Sequence, residues 1–195
     1  MKNDLKNDMK NNLKYDLETG NADVIAGLKA DLRPVRSESD IAGLVPLVRA
    51  IWREVFPPII GEAQTEYMLE HYQSAESIGR EIAGGARYFR VERGGAPIGY
   101  LAYEIREDWL FVSKVYLAAA ERGKGISSEL FAYLERQAEK AGKDRLHLHV
   151  NRRNEQAIAV YRHRGFEVAQ AVVTDIGGGF AMDDYHMEKA LGSEL

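Results

Sequence analysis

One short segment changes from a strand pattern to a helix pattern across a turn that contains two glycines. The run 110–117, Leu-Phe-Val-Ser-Lys-Val-Tyr-Leu, is rich in β-branched and aromatic residues and predicts a strand. Beyond it, Ile126 and Leu130 begin an apolar stripe at helical spacing. Gly123 and Gly125 allow a sharp turn, which leaves backbone N–H groups uncovered at the start of the helix. Because such a terminus attracts anions, the sequence predicts a phosphate site here.

The residues around these glycines distinguish between the known kinds of phosphate-binding loop. Arg122 and Lys124 add positive charge, but Gly125 follows Lys124 where a Walker A loop needs Ser or Thr. Ser128 stands where the dinucleotide-binding fingerprint needs its third glycine. The stretch resembles the pyrophosphate loop of the GNAT superfamily of acyl-CoA-dependent N-acyltransferases, which Arg122, Gly125 and Ser127 match, the serine being a departure from Gly or Ala. Taken alone, the stretch also fits an ordinary strand-to-helix turn.

A second motif lies about thirty residues downstream. Asn154 is placed to cap a short helix and Gly165 to end it, with Tyr161 about two turns along. Alone, Tyr161 reads as a packing aromatic. The pattern of Asn154, Ala157, Tyr161, Gly165 and Phe166 resembles the helix that lies beside the cofactor in GNAT enzymes. The two motifs in this order favour the family, whereas either motif alone does not.

The resemblance implies an α/β GNAT fold over residues 32–195, with a mixed six- or seven-stranded central sheet and helices on both faces. It also implies transfer of an acetyl group from acetyl-CoA to a primary amine by direct attack in a ternary complex. In the family, a tyrosine at the place of Tyr161 protonates the leaving thiolate. The general base is not readable from the sequence. Glu104 is the first candidate, followed by His149 and by relayed water.

The resemblance further implies which residues contact acetyl-CoA. The backbone of the strand would pair with the pantetheine arm and stabilise the oxyanion, the loop would surround the pyrophosphate, and the later helix would approach the acetyl end. The expected cofactor-binding residues are Val115, Tyr116, Leu117, Arg122, Gly123, Lys124, Gly125, Ser127, Ser128 and Asn154.

The acceptor is left open by the sequence. The chain resembles, more loosely, bacterial polyamine acetyltransferases of the spermidine/spermine type, and Glu62, Glu66 and Glu70 share one face of a predicted helix that suits a cationic amine. A plain solvated face is the alternative for these glutamates. Acetylation of a protein N-terminus or a lysine is a second function, and a non-catalytic acyl-CoA sensor is a third.

Composition excludes several other classes. A net charge of −4 argues against a general nucleic-acid binder, and no run is long and apolar enough to span a membrane. The absence of cysteine excludes disulfides and suggests a cytoplasmic protein. His147 and His149 share a strand face, but no third ligand is evident, so no metal site is expected. A homodimer remains an open alternative.

The first 31 residues differ from the rest of the chain. They are rich in Lys, Asn and Asp, and a flexible N-terminal extension is expected over 1–31. Within the domain, strands are predicted at 32–36, 86–93, 96–105, 109–118, 145–151, 166–175 and 180–188. Pro46 falls inside a helical pattern that begins after Ser37, which predicts a kink or a late helix start. The strand, helix and strand at 109–151 predict a parallel pair with a crossover.

Overall fold

The computed structural model describes residues 29–192, which contain seven strands and six α-helices. The strands are β1 (Asp31–Val35), β2 (Arg87–Arg93), β3 (Ala96–Ile105), β4 (Leu110–Leu117), β5 (Arg145–Asn151), β6 (Glu167–Gly177) and β7 (Phe180–Ala190). The helices are α1 (Glu38–Val55), α2 (Pro57–Ile60), α3 (Glu62–His71), α4 (Ala75–Ala83), α5 (Ile126–Lys140) and α6 (Glu155–His163). The strands predicted from the sequence are therefore all present, with ends that differ by a residue or two.

The strands form one mixed sheet in the order β1-β2-β3-β4-β5-β7-β6. All neighbours are antiparallel except β4 and β5, which are parallel and joined by the crossover that contains α5. This parallel pair is short, because only Leu110–Val112 pair with Leu146–Leu148. Past that point the two strands have no register with each other, so the sheet opens in the middle.

Two hydrophobic cores cover the two faces of the sheet. On one face, α5 and α6 bury residues such as Leu130, Leu134 and Ile158 against β3, β4 and β5. On the other face, helices α1 to α4 bury Leu44, Trp52 and their neighbours against β2 and β3. The expected α/β class, with a mixed sheet and helices on both faces, is confirmed.

Helix α1 runs without interruption through the proline in its middle. Ser37 accepts a hydrogen bond from the backbone N–H of Asp40, and the Asp40 carboxylate accepts one from the Ser37 N–H. This reciprocal cap fixes the start at Glu38, so a late start is wrong. Pro46 lies on the exposed face of the helix, where its ring meets solvent.

The expected extension over 1–31 lies outside the described residues except at its end. Ala30 is buried in the first core, and Asp31 already begins β1. Among the helices of residues 29–192, none is long and apolar enough to cross a membrane.

A single glycine lets β3 approach the open part of β4. Gly99 is paired with Leu117, and a Cβ at this position would lie 2.3 Å from the Tyr116 carbonyl oxygen and 2.7 Å from Cδ2 of Leu117. Backbone cannot yield as a flexible side chain does, so any larger residue must push β4 away from β3.

We expect Gly99→Ala to lower the free energy of unfolding by about 1–3 kcal/mol through this collision. Gly79→Ala is the matched control, because Gly79 lies inside α4 and its nearest non-local atom would be 3.9 Å from a new Cβ. The control should stabilise the protein by up to about 1 kcal/mol through helix propensity. Urea denaturation of the two variants measures both values, and equal stabilities would contradict a special role for Gly99.

Candidate active site

A cavity of about 600 Å³ occupies the place where β4 and β5 separate. Val115, Tyr116 and Leu117 line it. On one side these residues pair with β3, whereas on the cavity side they have no strand partner in the described chain. Apart from the Leu117 carbonyl, which accepts a hydrogen bond from Arg122 Nε, their backbone groups on that side could pair with an extended ligand, which would add to the sheet edge as a further strand would.

The glycine-containing loop borders one end of this cavity. Gly123 and Gly125 adopt φ angles of 72° and 82°, a backbone conformation that residues other than glycine rarely adopt. Gly125 is the N-cap of α5, so the first N–H groups of that helix lie uncovered beside the cavity. Arg122, Gly123 and Ser127 line the cavity, while Lys124, Gly125 and Ser128 lie in the same loop without lining it.

The two cations predicted for the loop are both paired with glutamates. An Arg122 terminal nitrogen lies 2.7 Å from a Glu54 carboxylate oxygen, and its Nε donates to the Leu117 carbonyl at 2.9 Å. Lys124 Nζ lies 3.3 Å from a carboxylate oxygen of Glu121. These side chains therefore define the shape of the loop as well as its charge.

A further cation at this loop was not found from the sequence. Arg164 follows α6 and donates a 2.7 Å hydrogen bond to Ser128 Oγ and a longer one, 3.3 Å, to Ser127 Oγ. Burial lowers the pKa of this guanidinium, and its Nε has no hydrogen-bond partner in the described part of the chain. A cation without an ion pair beside a helix N-terminus adds to the attraction for phosphate. Nothing in the local sequence distinguishes Arg164 from the neighbouring surface arginines.

The second motif forms the opposite wall. Asn154 Oδ1 accepts a 3.2 Å hydrogen bond from the Ala157 N–H and so caps α6 as predicted. Tyr161 lines the cavity, and its ring contacts Phe131 and Phe166, each at 5.9 Å between centroids. Burial raises the pKa of Tyr161 to about 12, so its hydroxyl is protonated at neutral pH.

An aromatic wall faces Tyr161 from the side of α1. The Tyr116 side chain contacts Trp52 and Phe56 at 6.1 Å between centroids and stacks on Tyr100 at 5.0 Å. Trp52 Nε1 donates to the Tyr100 hydroxyl at 2.9 Å, which fixes the indole. Burial raises the pKa of Tyr116, and the nearby Tyr161 and the Asp184 carboxylate raise it further. Tyr116 thus contributes its side chain to the site, in addition to the backbone role expected from the sequence.

Two carboxylates line the cavity, and they differ in their partners. Glu81 pairs with Lys114 at 3.2 Å and accepts a 2.6 Å hydrogen bond from Tyr88. The side-chain carboxylate of Asp184, on β7, has no ion pair or hydrogen bond among residues 29–192. Burial, with a contribution from the charge of Asp183, raises the pKa of Asp184 to about 6. A raised carboxyl pKa in a cavity is the usual property of a general base.

The structure does not bring Glu104 to the cavity. Its carboxylate accepts hydrogen bonds from Arg106 at 3.1 and 3.2 Å, at the level of Phe111, where β4 still pairs with β5. His149, the second candidate base, does line the cavity. Strand alternation places the two neighbouring aspartates of β7 on opposite faces, since Asp183 pairs with Arg152 at 3.2 Å while Asp184 lines the cavity.

The acidic face of α3 does not line the cavity. Glu62, Glu66 and Glu70 are all exposed, and Glu66 accepts two hydrogen bonds from Arg53 at 2.7 and 2.8 Å. These glutamates therefore form a solvated helix face, which was the alternative to an acidic entrance.

The other face of α3 closes one side of the cavity. Tyr67 and Tyr72 both donate hydrogen bonds to the Ile176 carbonyl, at 2.7 and 3.2 Å, and Gln64 donates to the Ala181 carbonyl at 2.7 Å. A Cβ on Gly178 would lie 2.7 Å from the Tyr67 ring, so the glycine loop of the β6–β7 hairpin fits directly against the helix. The hairpin and α3 together form a roof over this end of the site.

The comparison with known families gives a match over most of this region. A model described as "Acetyltransferase (GNAT) family" matches residues 46–166, which include β4, the loop, α5 and α6. A curated relative from Lactobacillus delbrueckii subsp. lactis, an uncharacterized N-acetyltransferase in the pepI 3' region, is 24% identical over 164 residues. That alignment covers 80% of this chain and 94% of the relative.

Solved structures show that the fold is shared. The PaiA N-acetyltransferase of Thermoplasma acidophilum, solved with coenzyme A, has a TM-score of 0.69 and 23% identity, covering 84% of this chain and 99% of that chain. An acetyltransferase of Salmonella typhimurium that modifies the N-terminal serine of ribosomal protein L7/L12 has a TM-score of 0.62 and 18% identity. That match covers 85% of this chain and 97% of the other.

We expect Asp184→Asn to raise the free energy of unfolding by about 1 kcal/mol at pH 7.5, and Tm by about 2–4 °C. The folded pKa, about 6, lies above the value of about 3.9 in an unfolded chain, so the ionised carboxylate destabilises the fold. This cost is absent below about pH 4, where the carboxyl is protonated in both states, and it grows as the pH rises through 6. Thermal melts at pH 4 and 7.5 measure the difference, with Asp183→Asn as the control.

Proposed function

Because the chain belongs to the GNAT family of acetyltransferases, we propose that it transfers the acetyl group of acetyl-CoA to a primary amine of a small cationic molecule. The reaction would proceed by direct attack of the amine in a ternary complex. One observation carries this proposal: the partnerless edge of β4 lies between an anion-binding loop at one end and Asp184 and Tyr161 at the other.

Cofactor binding would use the exposed backbone of the site. The pantetheine amides would pair with the backbone of Val115 and Leu117, which β5 leaves open. The pyrophosphate would meet the N–H groups of the loop from Gly123 to Ser128. We add Arg164 to this set, since its guanidinium already touches the hydroxyls at the start of α5.

Asp184 would act as the general base. An alkylamine has a pKa near 10 and arrives protonated, so a proton must leave before the nitrogen can attack the thioester carbon. With a pKa of about 6, Asp184 is ionised at neutral pH and accepts that proton. As the C–N bond forms, charge develops on the carbonyl oxygen, and the N–H groups at 115–117 are placed to stabilise it.

Tyr161 would assist the departure of coenzyme A. A thiol has a pKa near 8.5, which is below the value of about 12 for this phenol. Tyr161 therefore donates a hydrogen bond to the sulfur as the C–S bond breaks, rather than keeping a negative charge itself. The ammonium loses two protons in all: Asp184 accepts the first before the attack and releases it to solvent, and the second leaves the nitrogen as the amide forms and ends on the thiol, so atoms and charges balance.

The acceptor end favours a slender cationic molecule. Aromatic rings line it, Asp184 provides a negative charge without a protein partner in the described chain, and the roof of α3 and the β6–β7 hairpin closes one side. A linear amine fits such a space, and a folded protein surface does not. A flexible peptide N-terminus is the second candidate, and the Salmonella neighbour that modifies an N-terminal serine supports testing it.

Thiol release from acetyl-CoA tests the function and the acceptor together. A thiol-reactive dye follows the reaction, and the protein adds no background because it contains no cysteine. We expect release with spermidine, spermine or short diamines, and little with lysine peptides or N-terminal peptides. Release with N-terminal peptides alone would overturn the small-amine proposal. If no amine or peptide gives thiol release while acetyl-CoA still raises Tm, a sensor that binds acetyl-CoA without turnover is favoured.

Variants of the two proposed proton-transfer residues should fail in different ways. Tyr161→Phe should lower kcat by about 100-fold at every pH and leave acetyl-CoA binding intact. The wild type should lose kcat/KM as the pH falls below 6, because Asp184 becomes protonated, and Asp184→Asn should lower kcat and remove this pH dependence. Asp183→Asn should keep wild-type rates, because that carboxylate pairs with Arg152 outside the cavity. Unchanged rates in both site variants would place the chemistry elsewhere.

A further inference from the structure

Three histidines converge at the base of the opening between β4 and β5. His147 and His149 share one face of β5, as the sequence predicts, and β7 brings His186 opposite His149. One ring nitrogen from each of the three lies within 4.8 Å of those of the other two. His186 is the third ligand that the sequence could not supply, because only the antiparallel register of β5 and β7 places it there.

The hydrogen bond between His147 and Glu188 leaves the lone pair of His147 on the ring nitrogen that faces the other two histidines. Its Nδ1 lies 3.2 Å from a Glu188 carboxylate oxygen, so the proton on Nδ1 is donated to that carboxylate. The lone pair is then on Nε2, which lies 3.1 Å from Nε2 of His149. A carboxylate behind a histidine is the arrangement that orients metal-binding imidazoles in proteins.

The charges around the cluster are balanced. Arg106 and Arg145 lie nearby, but Arg106 pairs with Glu104 at 3.1 Å and Arg145 lies 3.6 Å from Glu188. Trp109 stacks on His147 at 5.0 Å and shields one side of it from solvent.

We propose that His147, His149 and His186 form a binding site for a divalent transition-metal cation such as Zn²⁺. Tetrahedral zinc binds imidazole nitrogens at about 2.0–2.1 Å, which separates two ligand nitrogens by about 3.3 Å. His147 and His149 already match that spacing. His149 is exposed, and its ring stacks on that of His186 at 3.7 Å between centroids. A rotation of the His149 ring would direct its nitrogen and that of His186 to the same ion.

The site lies apart from the phosphate loop but borders the cavity. His149 lines the cavity wall, whereas His147 and His186 do not. A fourth coordination position would face solvent on that side, as in zinc sites that keep an exchangeable ligand. The alternative on the same geometry is a hydrogen bond from His149 to His147 with no metal, and binding experiments separate the two.

Direct titration tests the proposal. The full chain, dialysed against a chelator, should bind one Zn²⁺ per molecule by calorimetry. Co²⁺ in its place should give the intense visible bands of tetrahedral coordination. His149→Ala should weaken Zn²⁺ binding by more than about 100-fold and abolish the Co²⁺ bands, because it removes a ligand. The side chain is exposed, so the fold should persist, and circular dichroism checks this.

Two further variants decide between a built site and adventitious binding. Glu188→Gln should weaken Zn²⁺ by about 10–100-fold while leaving all three imidazoles in place. His163→Ala, which removes an exposed histidine at the end of α6, should bind as the wild type does. Equal affinities in the wild type, His149→Ala and His163→Ala would overturn the proposal, as would the absence of saturable binding in the wild type.

Discussion

The early end of pairing between β4 and β5 is the constraint on which the rest of the structure depends. Three positions of each strand are joined, and beyond them β3 is the only strand that pairs with β4 in the described part of the chain. A strand edge buried inside a protein is unfavourable unless something pairs with it, since unpaired N–H and C=O groups lose their hydration. The fold therefore holds a cavity that an extended, amide-containing ligand completes. Gly99 allows β3 to approach the backbone of β4 closely at Tyr116 and Leu117.

The two ends of the cavity have different electrostatic characters. At the loop, helix N–H groups and three basic side chains, two of them held by glutamates, favour a polyanion. At the other end, buried hydroxyls and one carboxylate lie among aromatic rings, where low polarity shifts their pKa values upward. The loop end of the cavity therefore favours negative charge and the other end does not. This difference orients a cofactor that is anionic at one end and neutral at its reacting end.

The sequence predicted the parts of this site that depend on neighbours along the chain. The loop, its helix and the cap at Asn154 are local, so patterns of glycine, serine and apolar spacing were enough to find them. Asp184, Arg164 and His186 were missed as site residues, because each reaches its place only through strand register or helix packing. Glu104 was chosen for its position at a strand end, yet the sheet had not opened at that point. The positions of these residues depend on pairing between strands that are distant in sequence, and such pairing cannot be inferred from a single sequence.

The roof formed by α3 and the β6–β7 hairpin joins parts of the chain that lie on either side of the proposed cofactor-binding stretch. Every cofactor contact proposed here comes from one continuous stretch, from β4 to Arg164 just past the end of α6. The roof instead joins two segments about a hundred residues apart through hydrogen bonds to a few backbone carbonyls, chiefly that of Ile176. The contact also requires glycine in the hairpin loop, because a Cβ on Gly177 would lie 2.8 Å from the Tyr67 hydroxyl and one on Gly178 2.7 Å from the Tyr67 ring. A change in this short loop would therefore displace α3, and with it one wall of the cavity, from the far end of the chain.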